Sequence, residues 1–220
     1  MKFLGYDSFL ISLLTKISQF FAINILWILC SIPVFTIGAS TTAMYAVTMA
    51  MAEKRGGNVF VAFFREFKRN FWDGTKVFLI LAGMALFLGL DIFVLLRYDF
   101  PGGTAAAAVI GILCIVFLVI WTLVFPVAAR YQNTARSLVK SAFLLGTQNF
   151  YKSLFMALLN LLPVLLFLLE PNLFLELSVC WVLVGFALTA YLNSKIMLRI
   201  FKKNDRTCGI LEENTDLSEE

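Results

Sequence analysis

Apolar residues run in six long stretches along this chain of 220 residues, each bounded by polar or charged positions. A helix needs about 20 mostly apolar residues to cross about 30 Å of hydrocarbon. The first stretch, Ile17 to Phe35, is entered through an amphipathic turn carrying Phe9, Leu10, Leu13 and Leu14. The second, Thr36 to Ala52, is short and rich in small and hydroxyl residues. Val77 to Leu96 and Ala105 to Val127 are unbroken apolar runs. The fifth, Leu154 to Leu169, is short and contains Pro163; the turn Glu170-Pro-Asn172 separates it from the sixth, Leu173 to Leu192. The pattern predicts an all-α, polytopic membrane helical bundle with six transmembrane helices. Residues 1–206 are read as one six-span domain, and the acidic tail 207–220 is expected to be disordered. The start, Met1-Lys-Phe-Leu-Gly5, lacks a compact apolar core ending in a small-residue cleavage site, so it is expected to stay as part of the first helix.

The polar intervals differ from one another. Lys and Arg fill the N-terminal segment, the connections after spans two and four, and the stretch after span six; seventeen of the 18 basic residues fall in these four places. Arg97 is the exception. Cytoplasmic loops carry such an excess, so both termini and the basic loops are expected in the cytoplasm.

Two of the basic loops are themselves patterned. Phe60, Phe63, Phe64, Phe67 and Phe71 recur at helical spacing, with Arg65, Lys68 and Arg69 on the other face. This predicts a helix over Val59 to Trp72 lying in the cytoplasmic interface, its Phe face in the acyl boundary and its basic face toward anionic headgroups. The second loop repeats the pattern more weakly, with Tyr131, Ala135, Leu138, Ala142 and Leu145 opposite Arg130, Asn133, Arg136 and Lys140. Arg65, Lys68, Arg69, Arg130, Asn133 and Arg136 are therefore the candidates for lipid or partner contact. The two loops also echo each other: Phe64 precedes Asn70-Phe71-Trp72 as Phe143 precedes Asn149-Phe150-Tyr151, the arrangement expected of two related helical hairpins.

Composition agrees with a lipid-solvated chain: 60% of residues are hydrophobic, 15% are charged and the mean hydropathy is +0.87. Ordinary soluble domains carry about 25% charged residues. There is no His, which removes the commonest metal ligand and neutral-pH proton shuttle. Cys30, Cys114 and Cys180 lie in apolar runs and Cys208 in the tail; all four are read as free, although Cys30 and Cys180 both fall toward the outer side. No phosphate-binding glycine loop, carboxylate pair or nucleophile–base set is present. No catalytic residue, metal, cofactor or nucleic-acid partner is expected, and the protein is read as non-enzymatic.

The remaining candidates lie inside the spans. Gly38, Thr42, Ala46 and Ala50 follow one helical ridge, which suits close helix packing; with Ser40 and Thr41, Thr42 would alternatively form a polar wall along a substrate path. Asp91 is an ionisable group within a span, close enough to the outer end to reach headgroup water or Arg97. Asn24 and Asn160 are placed to hydrogen-bond between helices, and Pro33 and Pro163 to end or kink theirs. Asn24, Thr42, Asp91 and Asn160 are the candidates for binding a substrate.

One block is more specific. Asn24-Ile-Leu-Trp-Ile-Leu-Cys-Ser-Ile-Pro-Val-Phe-Thr-Ile-Gly-Ala-Ser-Thr-Thr-Ala-Met-Tyr45 resembles the YesL-like family of bacterial membrane proteins, and Phe125-Pro-Val-Ala-Ala-Arg-Tyr-Gln-Asn-Thr134, continuing to Asn160-Leu-Leu-Pro163, is a second matching block. Ala39 stands where that family's pattern has Pro after Ile-Gly. The family is a domain of unknown function. The resemblance implies a bacterial plasma-membrane protein associated with carbohydrate uptake, with a carbohydrate ABC transporter as the expected partner; it carries over no site residues. An accessory or regulatory subunit is the first expectation, and a small permease for a carbohydrate or other small solute the alternative.

Overall fold

The computed structural model describes residues 3–55, 57–98 and 103–207, and they form a succession of helices: α1 (Phe3–Ser31), α2 (Ile37–Ala52), α3 (Val59–Arg69), α4 (Phe71–Arg97), α5 (Gly103–Arg130), α6 (Ala135–Gln148), α7 (Phe150–Leu169), α8 (Pro171–Cys180) and α9 (Phe186–Thr207). A 3-10 turn, Val34–Thr36, precedes α2, and a π-helical segment, Trp181–Gly185, joins α8 to α9. Among the described residues, six stretches are long and apolar enough to cross a membrane: Leu14–Ser31, Val34–Ala52, Phe71–Arg97, Gly103–Arg130, Phe150–Leu169 and Pro171–Asp205. The chain is a multi-pass helical bundle, as its pattern predicts. Several helices outrun their predicted spans. Hydropathy marks only the hydrocarbon thickness, whereas backbone hydrogen bonds carry α4 back to Phe71 and α9 on to Thr207 through charged residues. Of Phe9, Leu10 and Leu13 the structure describes only the backbone, and the tail 208–220, with Cys208, lies outside the described residues.

The short, least hydrophobic span is the centre of the bundle. Of the second span, 61% is buried by the rest of the protein, against 11–33% of the others. It packs on α1, α3, α4, α5 and α9. Its small residues make that possible. A Cβ on Gly38 would run into the Gly74 carbonyl oxygen of α4, and one on Gly74 would lie 2.8 Å from the Ala39 Cα. The two backbones thus meet, which is how helices associate in lipid, where apolar burial gives no net drive.

The two loop helices correct the expectation of an interfacial Phe face. Asn58 caps α3 by accepting from the Phe60 N–H at 2.9 Å. Phe63 is fully buried and stacks on Phe67, while Phe60 and Phe64 face outward. The apolar stripe is wide enough for half of it to pack against α1 and α2. In α6, Ala135, Leu138, Ala142 and Leu145 are all buried against the bundle rather than in lipid, chiefly against α5.

Each loop helix ends at an asparagine and turns directly into a span. Asn70 Nδ2 donates to the Glu66 carbonyl at 2.9 Å, and Asn149 Nδ2 to the Leu145 carbonyl at 3.4 Å. The Asn70 carbonyl accepts from Gly74 N–H at 2.8 Å and the Asn149 carbonyl from Ser153 N–H at 3.0 Å. The sequence echo between the loops is therefore the same corner built twice.

Elsewhere Pro33 follows the end of α1, while Pro126 and Pro163 sit within α5 and α7. Cys30, Cys114 and Cys180 are free thiols.

Candidate functional site

The sixth span is irregular where it crosses α1. In Trp181–Gly185 the turn is widened to π geometry, so the regular ladder of backbone bonds is interrupted. Asn24 of α1, fully buried, fills the gap. Its Nδ2 donates to the Val182 carbonyl at 2.6 Å and the Trp181 carbonyl at 3.2 Å, and its Oδ1 accepts from the Ala187 N–H at 3.0 Å. One side chain thereby satisfies the backbone groups that the π turn releases, and it fixes α1 to α9. Interhelical polar contacts of this kind contribute about 0.6–1.7 kcal/mol each in lipid.

Beside this junction lies a cavity of about 200 Å³ between α1, α2, α5, α7 and α9. Trp27, Trp121, Phe125, Trp181 and Phe186 supply aromatic walls, and Thr41, Tyr45, Thr122, Asn160 and Thr189 supply polar atoms. Those atoms are networked. Asn193 Nδ2 donates to Asn160 Oδ1 at 2.8 Å and to Tyr45 Oη at 3.3 Å; Asn160 Nδ2 reaches Thr122 Oγ1 at 3.5 Å. Trp27 Nε1 donates to Thr41 Oγ1 at 3.0 Å. Trp181 Nε1 and Asn193 Oδ1 are buried without a partner. Among the described residues, no Asp, Glu, Lys or Arg lines the space. Such a cavity suits a small neutral molecule with hydroxyl or carbonyl groups, since a charge would enter it uncompensated.

At the other extreme is the end of the bundle where α2, α5 and α9 finish. Glu66 is buried under α3 between Arg65, 3.3 Å away, and Arg69, 2.5 Å away. Arg130 Nη2 donates to Asp205 Oδ2 at 2.7 Å, and its guanidinium lies over the Phe201 ring with 4.9 Å to the centroid. Tyr131 donates to Asp205 Oδ1 at 3.3 Å. Burial, and then the Asp205 charge, push the Tyr131 hydroxyl above its ordinary pKa. Arg55, Arg65, Arg69 and Arg130 line a cleft of about 490 Å³ with Glu53 and Glu66.

The candidates read from sequence divide between these places. Asn24 and Asn160 lie in the interior, but only Asn160 lines the cavity. Thr42 bonds back to the Gly38 carbonyl of its own helix at 2.8 Å and is buried, so the polar wall at the cavity is made by Thr41 instead. Ser40 is likewise occupied, by the Trp27 carbonyl at 3.0 Å. Asp91 is half-buried in α4, apart from both sites and unpaired with Arg97. Arg65, Arg69 and Arg130 come together at the charged cleft. Lys68 and Arg136 are exposed, and Asn133 lines a separate cleft with Arg69 and Asp73. Sequence reading missed Asn193, Tyr45 and the three tryptophans of the cavity. Asn193 sits one residue past the predicted end of span six, which hid it; Trp27, Trp121 and Trp181 each lie inside a span, away from the headgroup level that tryptophan favours, and that was the available signal.

Residues 20–92, from the middle of α1 into α4, match the family described as "Protein of unknown function, DUF624". The chain is also 30% identical over 129 residues to a curated relative from Bacillus subtilis (strain 168), "Uncharacterized protein YesL"; the match covers 56% of this chain and 60% of that protein. No solved structure matches the chain.

Proposed function

We propose that this chain, which the family match and the YesL identity support as a YesL-like protein of the DUF624 family, acts without enzymatic chemistry as an accessory or regulatory subunit of carbohydrate uptake in the bacterial plasma membrane. In this reading the basic end and both termini face the cytoplasm, and the basic end docks a carbohydrate ABC transporter. The sidedness rests on seventeen of 18 basic residues falling in the N-terminal segment, the connections after spans two and four and the stretch after span six, and the carbohydrate link rests on the resemblance of the Asn24–Tyr45 block.

The observation that carries docking is the seating of α3 and α6. Both helices bury part of their apolar faces on the bundle, Val59 and Phe63 of α3 and Leu138, Ala142 and Leu145 of α6, so they hold Lys68, Arg136 and Lys140 outward on a fixed surface, none of the three paired among the described residues. A preorganised charged face loses little freedom on binding and steers an acidic partner.

The cavity favours a second reading, a permease for a small neutral solute. Both readings have direct tests. With the native cysteines replaced, Gly103→Cys and Asn172→Cys react with an impermeant thiol reagent on intact cells while Ser137→Cys does not; labelling at Ser137→Cys contradicts the sidedness. Purified protein alone in liposomes moves no sugar if it is an accessory subunit. A flux that wild type supports and Asn160→Leu stops replaces this reading with the permease.

A further inference from the structure

A third feature adjoins the charged cleft and shares Arg55 and Arg65 with it. Where α1, α2 and α3 meet at the basic end, a cleft of about 590 Å³ opens, and Lys16, Lys54, Arg55 and Arg65 line it with no Asp or Glu among them. Arg55 ion-pairs with Glu53, and Arg65 lies 3.3 Å from Glu66, but both acids sit on the neighbouring cleft. Lys16 and Lys54 are exposed and have no acidic partner among the described residues. Lys54 is also held in place by the backbone. It takes a φ of 56° as α2 closes, with its N–H on the Met51 carbonyl at 3.1 Å and the next N–H on the Ala50 carbonyl at 2.9 Å. Helices close this way most often with glycine; here the position carries a cation.

The cleft does not stop at the charges. An apolar furrow of about 520 Å³ shares Gln19, Gly57, Asn58 and Val59 with it and continues along α1 past Phe21, Ala22 and Ile25. Ser18 to Ile25 is about 10 Å of helix, and it lies within the span that begins at Leu14. Phe21, Ile25 and Phe60 are exposed along it. A cationic mouth at the polar end of a span therefore leads into an apolar track running down that span.

We propose that this is a binding site for an anionic phospholipid, with the phosphate among Lys16, Lys54, Arg55 and Arg65 and an acyl chain in the furrow beside Phe21, Ala22 and Ile25. Inorganic phosphate satisfies only the first half of that description, and a zwitterionic lipid, whose own ammonium group meets four cations, fits it poorly. The inference stands apart from the accessory-subunit reading, since a lipid enters from whichever leaflet holds the basic end.

The test is thermal unfolding of the purified full chain in mild detergent with added phosphatidylglycerol, phosphatidylcholine or inorganic phosphate. Phosphatidylglycerol raises the midpoint, and the other two at equal concentration do not. Lys16→Gln combined with Lys54→Gly weakens the apparent phosphatidylglycerol affinity about tenfold or more, and Lys54→Gly does so without opposing the backbone. Lys76→Gln with Lys152→Gln, an equal loss of charge at exposed positions outside the cleft, leaves it unchanged. Ala22→Trp, which fills the furrow, also weakens it. Equal shifts from both lipids, a shift from phosphate alone that matches phosphatidylglycerol, or an equal loss in the control pair each overturn the site.

Discussion

The interior and the basic end use polar groups in opposite ways. Around the cavity every polar side chain among the described residues is neutral, and amides bond across helices to backbone groups and to one another, Asn24 to the π turn and Asn193 to Asn160 and Tyr45, with Asn193 Oδ1 and Trp181 Nε1 left without a partner. At the basic end the polar groups are ionised and held in pairs, Arg69 with Glu66 and Arg130 with Asp205, among charges left free. The dielectric explains the split. An unpaired charge in the bilayer core costs several kcal/mol, whereas a neutral amide can be satisfied by one neighbour. The interior therefore suits structure and neutral ligands, and the charged end suits lipids and partners. Substitutions in the first should cost stability, and those on the second should cost binding.

The largest loss is expected for Asn24→Leu. It removes three hydrogen bonds at once and strands the backbone groups of the π turn, so unfolding in detergent should become easier by about 2–4 kcal/mol. A loss near zero would mean the π turn is satisfied in another way. Glu66→Gln should cost about 1 kcal/mol, because its arginine partners are well exposed and solvent screens them. High salt should shrink that difference. Asn160→Leu comes next, at about 0.6 kcal/mol, because it removes the 2.8 Å bond from Asn193 and, with Thr122, only a contact at 3.5 Å. The smallest effect is on pH. Tyr131 keeps its proton more firmly folded than unfolded, so stability from this group is complete below its ordinary value of 10.0 and is lost as pH rises above it. Tyr131→Phe should flatten that alkaline limb and leave neutral-pH stability nearly unchanged.

The architecture was legible because lipid imposes a coarse and strong pattern. Six apolar runs and one-sided Lys and Arg need no tertiary knowledge to read. The site was legible in part. Asn24 and Asn160 stood out as amides inside apolar runs, but their partners depend on which faces meet. Nothing local distinguishes Thr41, on the cavity, from Thr42, which bonds back to its own helix. The π turn leaves no mark in hydropathy, so the reason Asn24 is needed stayed hidden. Phe63 and Phe64 are adjacent and alike, yet one is buried and the other exposed; an amphipathic stripe does not say whether lipid or protein covers it.

The charged face also changes how docking should be probed. Reversing Arg65, Lys68 and Arg69 together would set two carboxylates beside buried Glu66 and disturb α3 itself. Lys68, Arg136 and Lys140 are free of that coupling. The most direct measurement is co-purification from native membranes in mild detergent, comparing wild type, the variant Lys68→Glu/Arg136→Glu/Lys140→Glu, and Asn160→Leu, with the permease subunit of a carbohydrate ABC transporter as the readout. The charge variant should lose the transporter while folding and inserting normally, and Asn160→Leu should retain it. Retention by the charge variant with loss by Asn160→Leu would contradict the division between a structural interior and a docking end.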